Sequence, residues 1–230
     1  MKSESEIGTN LTGIGTSPQM AKAMIEASQE VPAFPDGIAA AELRVHYIQE
    51  AEPIGTMPPL SDDADMTLDA ERTATLLDKL GERLAFERTG ARLYELLMTK
   101  LEALPDDPNN PSIDDVQRIH DEELAHFDLV ARVIDELGAD PTAVTPSADL
   151  VAVMASGILQ VVSDPRTSVA QSLQAMLVAE LTDNDGWQLL IELSTDLVPT
   201  EALDEMRQAL ANEKEHLEDV RAWLSDLIVS

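Results

Sequence analysis

Four long segments beyond residue 66 carry apolar side chains at three-and-four spacing, which is the repeat of an amphipathic α-helix. Short links join the first segment to the second and the third to the fourth, whereas the second and third are joined by a link long enough to cross a bundle. We predict four long helices and a shorter one in the long link, over residues 67–104, 112–138, 147–162, 167–194 and 200 to almost the last residue. The chain is therefore predicted to be all-α, a four-helix bundle with one long crossover between helices two and three.

Residues 1–66 have a different texture from the bundle segment, 67–230, and hold six of the thirteen prolines. Proline and glycine interrupt regular structure, so we predict an extended N-terminal arm with short helices over about 17–29 and 35–50. The arm is expected to pack on the main body or on a neighbouring subunit. A partly disordered tail is the alternative.

The composition restricts the possible partners and cofactors. A formal charge of −29 disfavours binding to nucleic acids and anionic membranes and attracts cations. The absence of cysteine excludes zinc–thiolate sites, iron–sulfur clusters and thiol catalysis. The chain begins without the basic-then-apolar pattern of a secretory signal, and we counted no apolar run of membrane-spanning length. We expect a soluble, cytoplasmic protein that does not bind membranes.

Each of the four apolar stripes is interrupted near its middle by residues that ordinarily avoid burial. The first and third long helices place one glutamate there, and the second and fourth each place a Glu-x-x-His pair. The six residues are Glu87, Glu123, His126, Glu180, Glu213 and His216. Because residues three apart share a helix face, both members of each pair point to the same interior. The spacing therefore predicts that all six converge inside the bundle.

Four buried carboxylates require compensation, because an unpaired buried charge costs several kcal/mol or titrates away. We find no Lys or Arg on the same stripes. Two divalent cations would balance the four charges and supply bonds to the oxygens. Oxygen and imidazole ligands without sulfur suit iron or manganese. The pattern favours two Fe ions, or two Mn ions, or a mixed Mn/Fe pair.

This constellation resembles that of the ferritin-like di-iron/di-manganese carboxylate superfamily, which includes the rubrerythrins. The resemblance covers about residues 67–229 and implies a ferritin-like bundle. It implies one metal held by Glu87, Glu123 and His126 and another held by Glu180, Glu213 and His216, with Glu123 and Glu213 as bridges. It also places Tyr94 where many ferritin-like proteins keep a tyrosine beside the metals. A core aromatic and a redox or hydrogen-bonding role both stay open for Tyr94.

Two features depart from the rubrerythrin pattern. A further glutamate of that family is replaced by Asp183, for which weak ligation, orientation of a histidine and exposure to water all stay open, the last two being favoured. The chain also lacks the cysteines of the rubrerythrin iron module. In addition, the run from Thr182 to Gly186 is poor in helix formers, and we predict a bulge there. Other acids beside the ligands, Glu122 and Glu215 among them, are expected to face solvent, and so is His120.

The resemblance implies oxidation of ferrous ion with reduction of dioxygen or peroxide, in iron handling or oxidative defence. Peroxide disproportionation of the manganese catalase type is a close variant. An oxidase or oxygenase acting on an organic substrate is a second class. A non-enzymatic metal-binding, structural or cargo protein is a third. A homo-oligomer is expected.

Overall fold

The computed structural model describes residues 8–9, 15–16, 22–23, 26, 37–51, 55–58, 60, 69–105 and 107–229, with only the backbone for 37–40. The chain divides into two units, residues 1–52 and 53–230. Most of the predicted helix over 17–29, and the predicted domain boundary after residue 66, fall outside the described residues. Both stay predictions.

The described residues of the first unit contain a minimal antiparallel strand pair, helical residues at 22, 23 and 26, and one longer helix. Strands β1 (Gly8–Thr9) and β2 (Gly15–Thr16) pair with Gly8 opposite Thr16. The strand pair was not predicted. Helix α1 (Gly37–Glu50) agrees with the predicted helix over 35–50, and its residues 41–50 are exposed.

The second unit is all-α over its described residues and consists of five helices. They are α2 (Ala70–Ala103), α3 (Ile113–Glu136), α4 (Pro146–Ser163), α5 (Val169–Ser194) and α6 (Thr200–Val229). Helix α2 packs against α3, α4 and α5, while α6 packs against α5 and α3. The predicted helical bundle is confirmed at this level, with α4 lying in the link between the two hairpins.

Capping side chains fix the helix ends. The Asp69 carboxylate accepts a hydrogen bond from Arg72 N at 3.0 Å, so α2 begins three residues after the predicted start. Ser112 Oγ accepts from Asp115 N at 3.1 Å, as predicted for the start of α3. Gly138 follows α3 with φ of 79°, a conformation that glycine adopts without strain. Local sequence thus determines where these helices begin and end.

The bundle core consists of two apolar clusters, one toward each end. The first takes residues from the N-terminal halves of α2 and α6 and the C-terminal halves of α3 and α5. The second takes residues from the opposite halves of the same four helices. Helices α3 and α5 therefore run in the same direction, and the chain between them must cross the length of the bundle. The layer between the clusters is polar.

Helix α4 is unusually apolar for its length. Among the described residues it is the one helix that passes a length-and-composition test for crossing a membrane, with 28% of that window buried in the structure. The expectation that no apolar run reaches membrane-spanning length is therefore wrong. The helix packs against α2 and α5, which accounts for its buried side.

The predicted bulge in α5 is wrong, because the helix is continuous through residues 182–186. Thr182 Oγ1 donates to Val178 O at 2.9 Å within the helix. The Asn184 amide donates to Glu180 O and, across the bundle, to Glu213 O. These residues are poor helix formers that serve tertiary contacts, and packing overrides their weak helix propensity.

Candidate metal centre

The six predicted side chains converge in the polar layer between the two apolar clusters. All six are buried, none more than 4% exposed. Each long helix contributes at the predicted depth, since each has its buried apolar residues on both sides of the polar ones. The convergence expected from spacing is what the structure shows.

The Glu213 carboxylate lies between the two imidazoles. Its Oε1 is 2.7 Å from His126 Nδ1, and its Oε2 is 3.3 Å from His216 Nδ1. Glu87 Oε2 lies 3.5 Å from His126 Nδ1, and Glu123 Oε1 lies 3.5 Å from His216 Nδ1. Both Nδ1 atoms therefore face carboxylates, in the arrangement that a shared pair of cations would use.

Three overlapping groups bring ligand atoms within 4.8 Å of one another and could each hold a metal ion. The groups are Glu123, Glu180, Glu213 and His216; Glu87, His126 and Glu213; and Glu87, Glu123, Asp183 and Glu213. Glu213 belongs to all three, and Glu123 shares a group with carboxylates of both α2 and α5. Two carboxylates bridging a pair of ions would be placed in this way.

Buried polar atoms that make no hydrogen bond of normal geometry, although some contact oppositely charged groups, are concentrated at this cluster. Nine of the thirteen buried side-chain nitrogen and oxygen atoms that lack a hydrogen bond, among the described residues, belong to the six predicted ligands and Asp183. Folded proteins leave few such atoms, because each one costs free energy. The orphaned atoms here are carboxylate oxygens and imidazole Nδ1 atoms, the donor set that suits Fe or Mn. The residues present therefore fit a pair of divalent metal ions.

Arg83 corrects the expectation that no basic residue lies on the stripes. It is 2% exposed and forms ion pairs with Asp183 and, at 3.4 Å, with Glu87. Its guanidinium also stacks over Phe86, 4.6 Å from the ring centroid. Asp183 is 2% exposed, so the expectation that it faces water is wrong. The charges of Asp183 and Arg83 cancel each other. Two divalent ions would therefore still balance the charges of the four glutamates.

Gly90 is a functional candidate that the sequence analysis missed. A Cβ atom at this position would lie 2.2 Å from Glu123 Oε2 and 2.7 Å from its Cδ. A glycine in mid-helix costs about 0.5–1 kcal/mol relative to alanine. Here the missing side chain provides the space that the Glu123 carboxylate occupies.

Tyr94 contacts the cluster directly. It is fully buried, and its hydroxyl donates a hydrogen bond of 2.5 Å to Glu180 Oε1. Burial, followed by the charges of Glu180 and Glu123, raises the pKa of Tyr94 well above its usual value. The hydrogen-bonding alternative for Tyr94 is therefore present in the structure, while a redox role stays a prediction.

The opposite ring nitrogens of the two histidines meet residues outside the cluster. Glu122 Oε2 lies 2.7 Å from His216 Nε2, and Asn212 Nδ2 lies 3.4 Å from His126 Nε2. Glu122 thus contacts a predicted ligand, which corrects the expectation that it merely faces solvent. His120 Nδ1 instead lies 3.0 Å from Oδ1 of the neighbouring Asp121, and the His120 side chain is 19% exposed.

Close packing shifts the pKa values of the acids. Burial, followed by the charge of Glu213, raises the pKa of Glu180 to about 8 and that of Glu123 well above its usual range. Burial also opposes ionisation of Glu213, but its close contacts with the imidazoles of His126 and His216 outweigh burial and lower its pKa to about 2. Of these three acids, Glu213 therefore ionises most readily.

The imidazoles shift in the opposite direction. Burial lowers the pKa of His126, but its contacts with the carboxylates of Glu213 and Glu87 outweigh burial and raise the pKa to about 10. Burial likewise opposes the charged form of His216, but its contacts with the carboxylates of Glu123 and Glu213 outweigh burial and raise its pKa to about 11. Protons on these groups compete with metal ions for the same atoms.

A cavity of about 420 Å³ lies between α2 and α5, beside the cluster. Arg83 and Gly186 form part of its wall, together with Leu189 and Leu190. A Cβ on Gly186 would lie 2.8 Å from the Arg83 guanidinium, so this glycine makes room for the cation. None of the six predicted ligands lines this cavity, and Arg83 lies between it and Glu87.

Comparison of the chain with protein-family models, with curated proteins and with solved structures finds no match. What the structure supports is a helical bundle whose buried acidic and imidazole cluster is compatible with a two-metal site.

Proposed function

We propose that this chain is a ferritin-like protein that holds two divalent metal ions, Fe or Mn, in the polar layer of its bundle. Glu87 and His126 would hold one ion and Glu180 and His216 the other, with Glu123 and Glu213 shared between them. The observation that carries the proposal is the concentration in one layer of eight buried atoms of these six side chains that make no hydrogen bond of normal geometry. The parallel course of α3 and α5, joined by a crossover, supports the ferritin-like part.

The proposed reaction is the oxidation of ferrous ion. Two ferrous ions give up one electron each and become ferric, and the two electrons with two protons reduce dioxygen to hydrogen peroxide or hydrogen peroxide to two waters. The metal pair supplies redox chemistry and a Lewis acid when bound. The protein supplies carboxylates that stabilise the higher charge, a Tyr94 hydroxyl that donates to Glu180, and an apolar surround that excludes water. The net charge of −29 would concentrate cations around the molecule.

A metal-dependent structural role is the second candidate. All six side chains are nearly sealed from solvent, which also suits ions that mainly stabilise the bundle. The two roles differ in turnover: a structural pair binds once, whereas an oxidase consumes ferrous ion repeatedly.

Stopped-flow absorbance after mixing chelator-treated protein with ferrous ion and then with peroxide or air tests the reaction. The Glu123→Gln variant keeps the size of a central carboxylate and removes its charge, and Glu215→Gln is the control because Glu215 lies exposed on α6. We expect fast oxidation in the wild type and the control and slow oxidation in Glu123→Gln. Equal rates in all three proteins would reject the oxidase, and metal-induced stabilisation of the wild type without repeated consumption of ferrous ion would favour the structural role.

A further inference from the structure

The Nε2 atoms of the two histidines in the cluster contact chemically different side chains. Glu122 and Asn212 occupy equivalent places, each directly before the glutamate of a Glu-x-x-His pair, and each reaches the histidine of the other helix. Behind His216 stands a carboxylate oxygen at 2.7 Å, and behind His126 an amide nitrogen at 3.4 Å. The two Glu-x-x-His pairs are thus related by pseudo-symmetry, whereas the residues that contact the Nε2 atoms of their histidines differ.

Neighbouring groups hold both partners in these orientations. Arg118 donates from one guanidinium nitrogen to Glu122 at 2.9 Å and from the other to Asp219 at 2.6 Å. Asn212 Oδ1 accepts a hydrogen bond of 3.0 Å from Gln208, which turns the amide nitrogen toward His126. Each outer partner is therefore fixed by a contact of its own.

This difference matters once a metal binds through Nδ1. The ring then carries its proton on Nε2, which needs an acceptor. Glu122 offers a carboxylate acceptor to His216, whereas Asn212 presents a donor to His126 and would have to rotate, losing its bond to Gln208. Outer partners of metal-bound histidines commonly change metal affinity by about 10–100-fold.

We propose that Glu122 is a positioning residue that makes the His216 position the first and tighter of two unequal metal positions. The larger ligand group supports the same order, because His216 shares its group with three carboxylates and His126 shares its group with two. Metal loading is then stepwise, with the His126 position filling second. This inference rests on the proposed two-metal function.

Titration of chelator-treated full-length protein with Mn²⁺ tests the order, because electron paramagnetic resonance distinguishes one bound Mn²⁺ from a coupled pair. Wild-type protein should show single bound ions at one equivalent and coupled pairs only later, with a first affinity at least about 10-fold tighter than the second. Glu122→Gln should weaken the first step by about 10–100-fold and leave the second unchanged. Asn212→Asp should strengthen the second step, an effect of opposite sign that general damage to the fold would not produce. Glu218→Gln, exposed on α6, is the control.

The outcomes separate the two proposals. Wild-type protein that binds neither Mn²⁺ nor Fe²⁺ would overturn the proposed function itself. Coupled pairs from the first addition, or equal weakening of both steps in Glu122→Gln, would overturn the unequal positions while leaving a two-metal protein.

Discussion

Replacing Gly90 by alanine tests whether the cluster is built around the Glu123 carboxylate. The added Cβ would lie 2.2 Å from Glu123 Oε2, well inside normal contact, so the carboxylate must move by about 1 Å. Glu123 is 1% exposed and lies among the other buried side chains of the cluster, so its carboxylate has little free space to move into. Alanine itself favours the helix by about 0.5–1 kcal/mol, so the effects on the helix and on the site have opposite signs.

We expect Gly90→Ala to fold and to bind metal at least about 10-fold more weakly, a loss of about 1.4 kcal/mol for each tenfold. Calorimetric titration with Mn²⁺ measures the affinity, and thermal unfolding with and without metal provides a second reading. At 100 times the dissociation constant a bound ion stabilises by about 2.7 kcal/mol, and a tenfold weaker variant loses about half of that.

Gly157 provides the matched control. It lies exposed in α4, and a Cβ there would meet no atom within 4 Å. Gly157→Ala should therefore gain about 0.5–1 kcal/mol of stability and leave metal binding unchanged. Wild-type metal affinity in Gly90→Ala would refute the view that Glu123 is held in that space as a ligand.

Three further predictions concern the same layer. Metal affinity should rise with pH, because Glu180 and His216, with pKa values raised to about 8 and about 11, hold protons at pH 7 that the metal must displace. A pH-indicator dye in weak buffer should detect the release of these protons when metal binds. The dependence of metal affinity on pH should become less steep above about pH 8, where Glu180 is already ionised. Tyr94→Phe leaves Glu180 Oε1 without its donor and should cost about 1–3 kcal/mol in urea unfolding of the metal-free protein; no change would contradict the hydrogen bond. Arg83→Met strands the Asp183 charge and should cost about 3–5 kcal/mol in the same assay, most of it recovered by adding Asp183→Asn; additive losses would contradict the pairing.

The convergence of the six side chains could be predicted from the sequence because helix periodicity places them on the interior faces without tertiary information. The Ser112 cap and the proline-rich link after α2 were also local signals. Arg83 and Gly90 were missed although a signal existed: both continue the three-and-four stripe that runs from Leu80 through Glu87 on α2. The predicted stripe used the adjacent buried residues of the same helix, because α2 is buried over a face wide enough to include both sets.

Other features require the tertiary structure. Whether Glu122 faces water or His216 depends on how α3 is rotated against α6, which periodicity does not determine. The continuity of α5 depends on contacts such as the bond from Asn184 to Glu213 O, made by another helix. Local helix propensity predicted a bulge in α5, because propensity does not take contacts with other helices into account.

The most direct test is anomalous X-ray diffraction at the iron and manganese absorption edges, measured on crystals of metal-loaded protein. The account predicts two metal peaks in the polar layer, one beside Glu87 and His126 and the other beside Glu180 and His216. Metal peaks confined to the acidic surface, with no ion between these side chains, would contradict it.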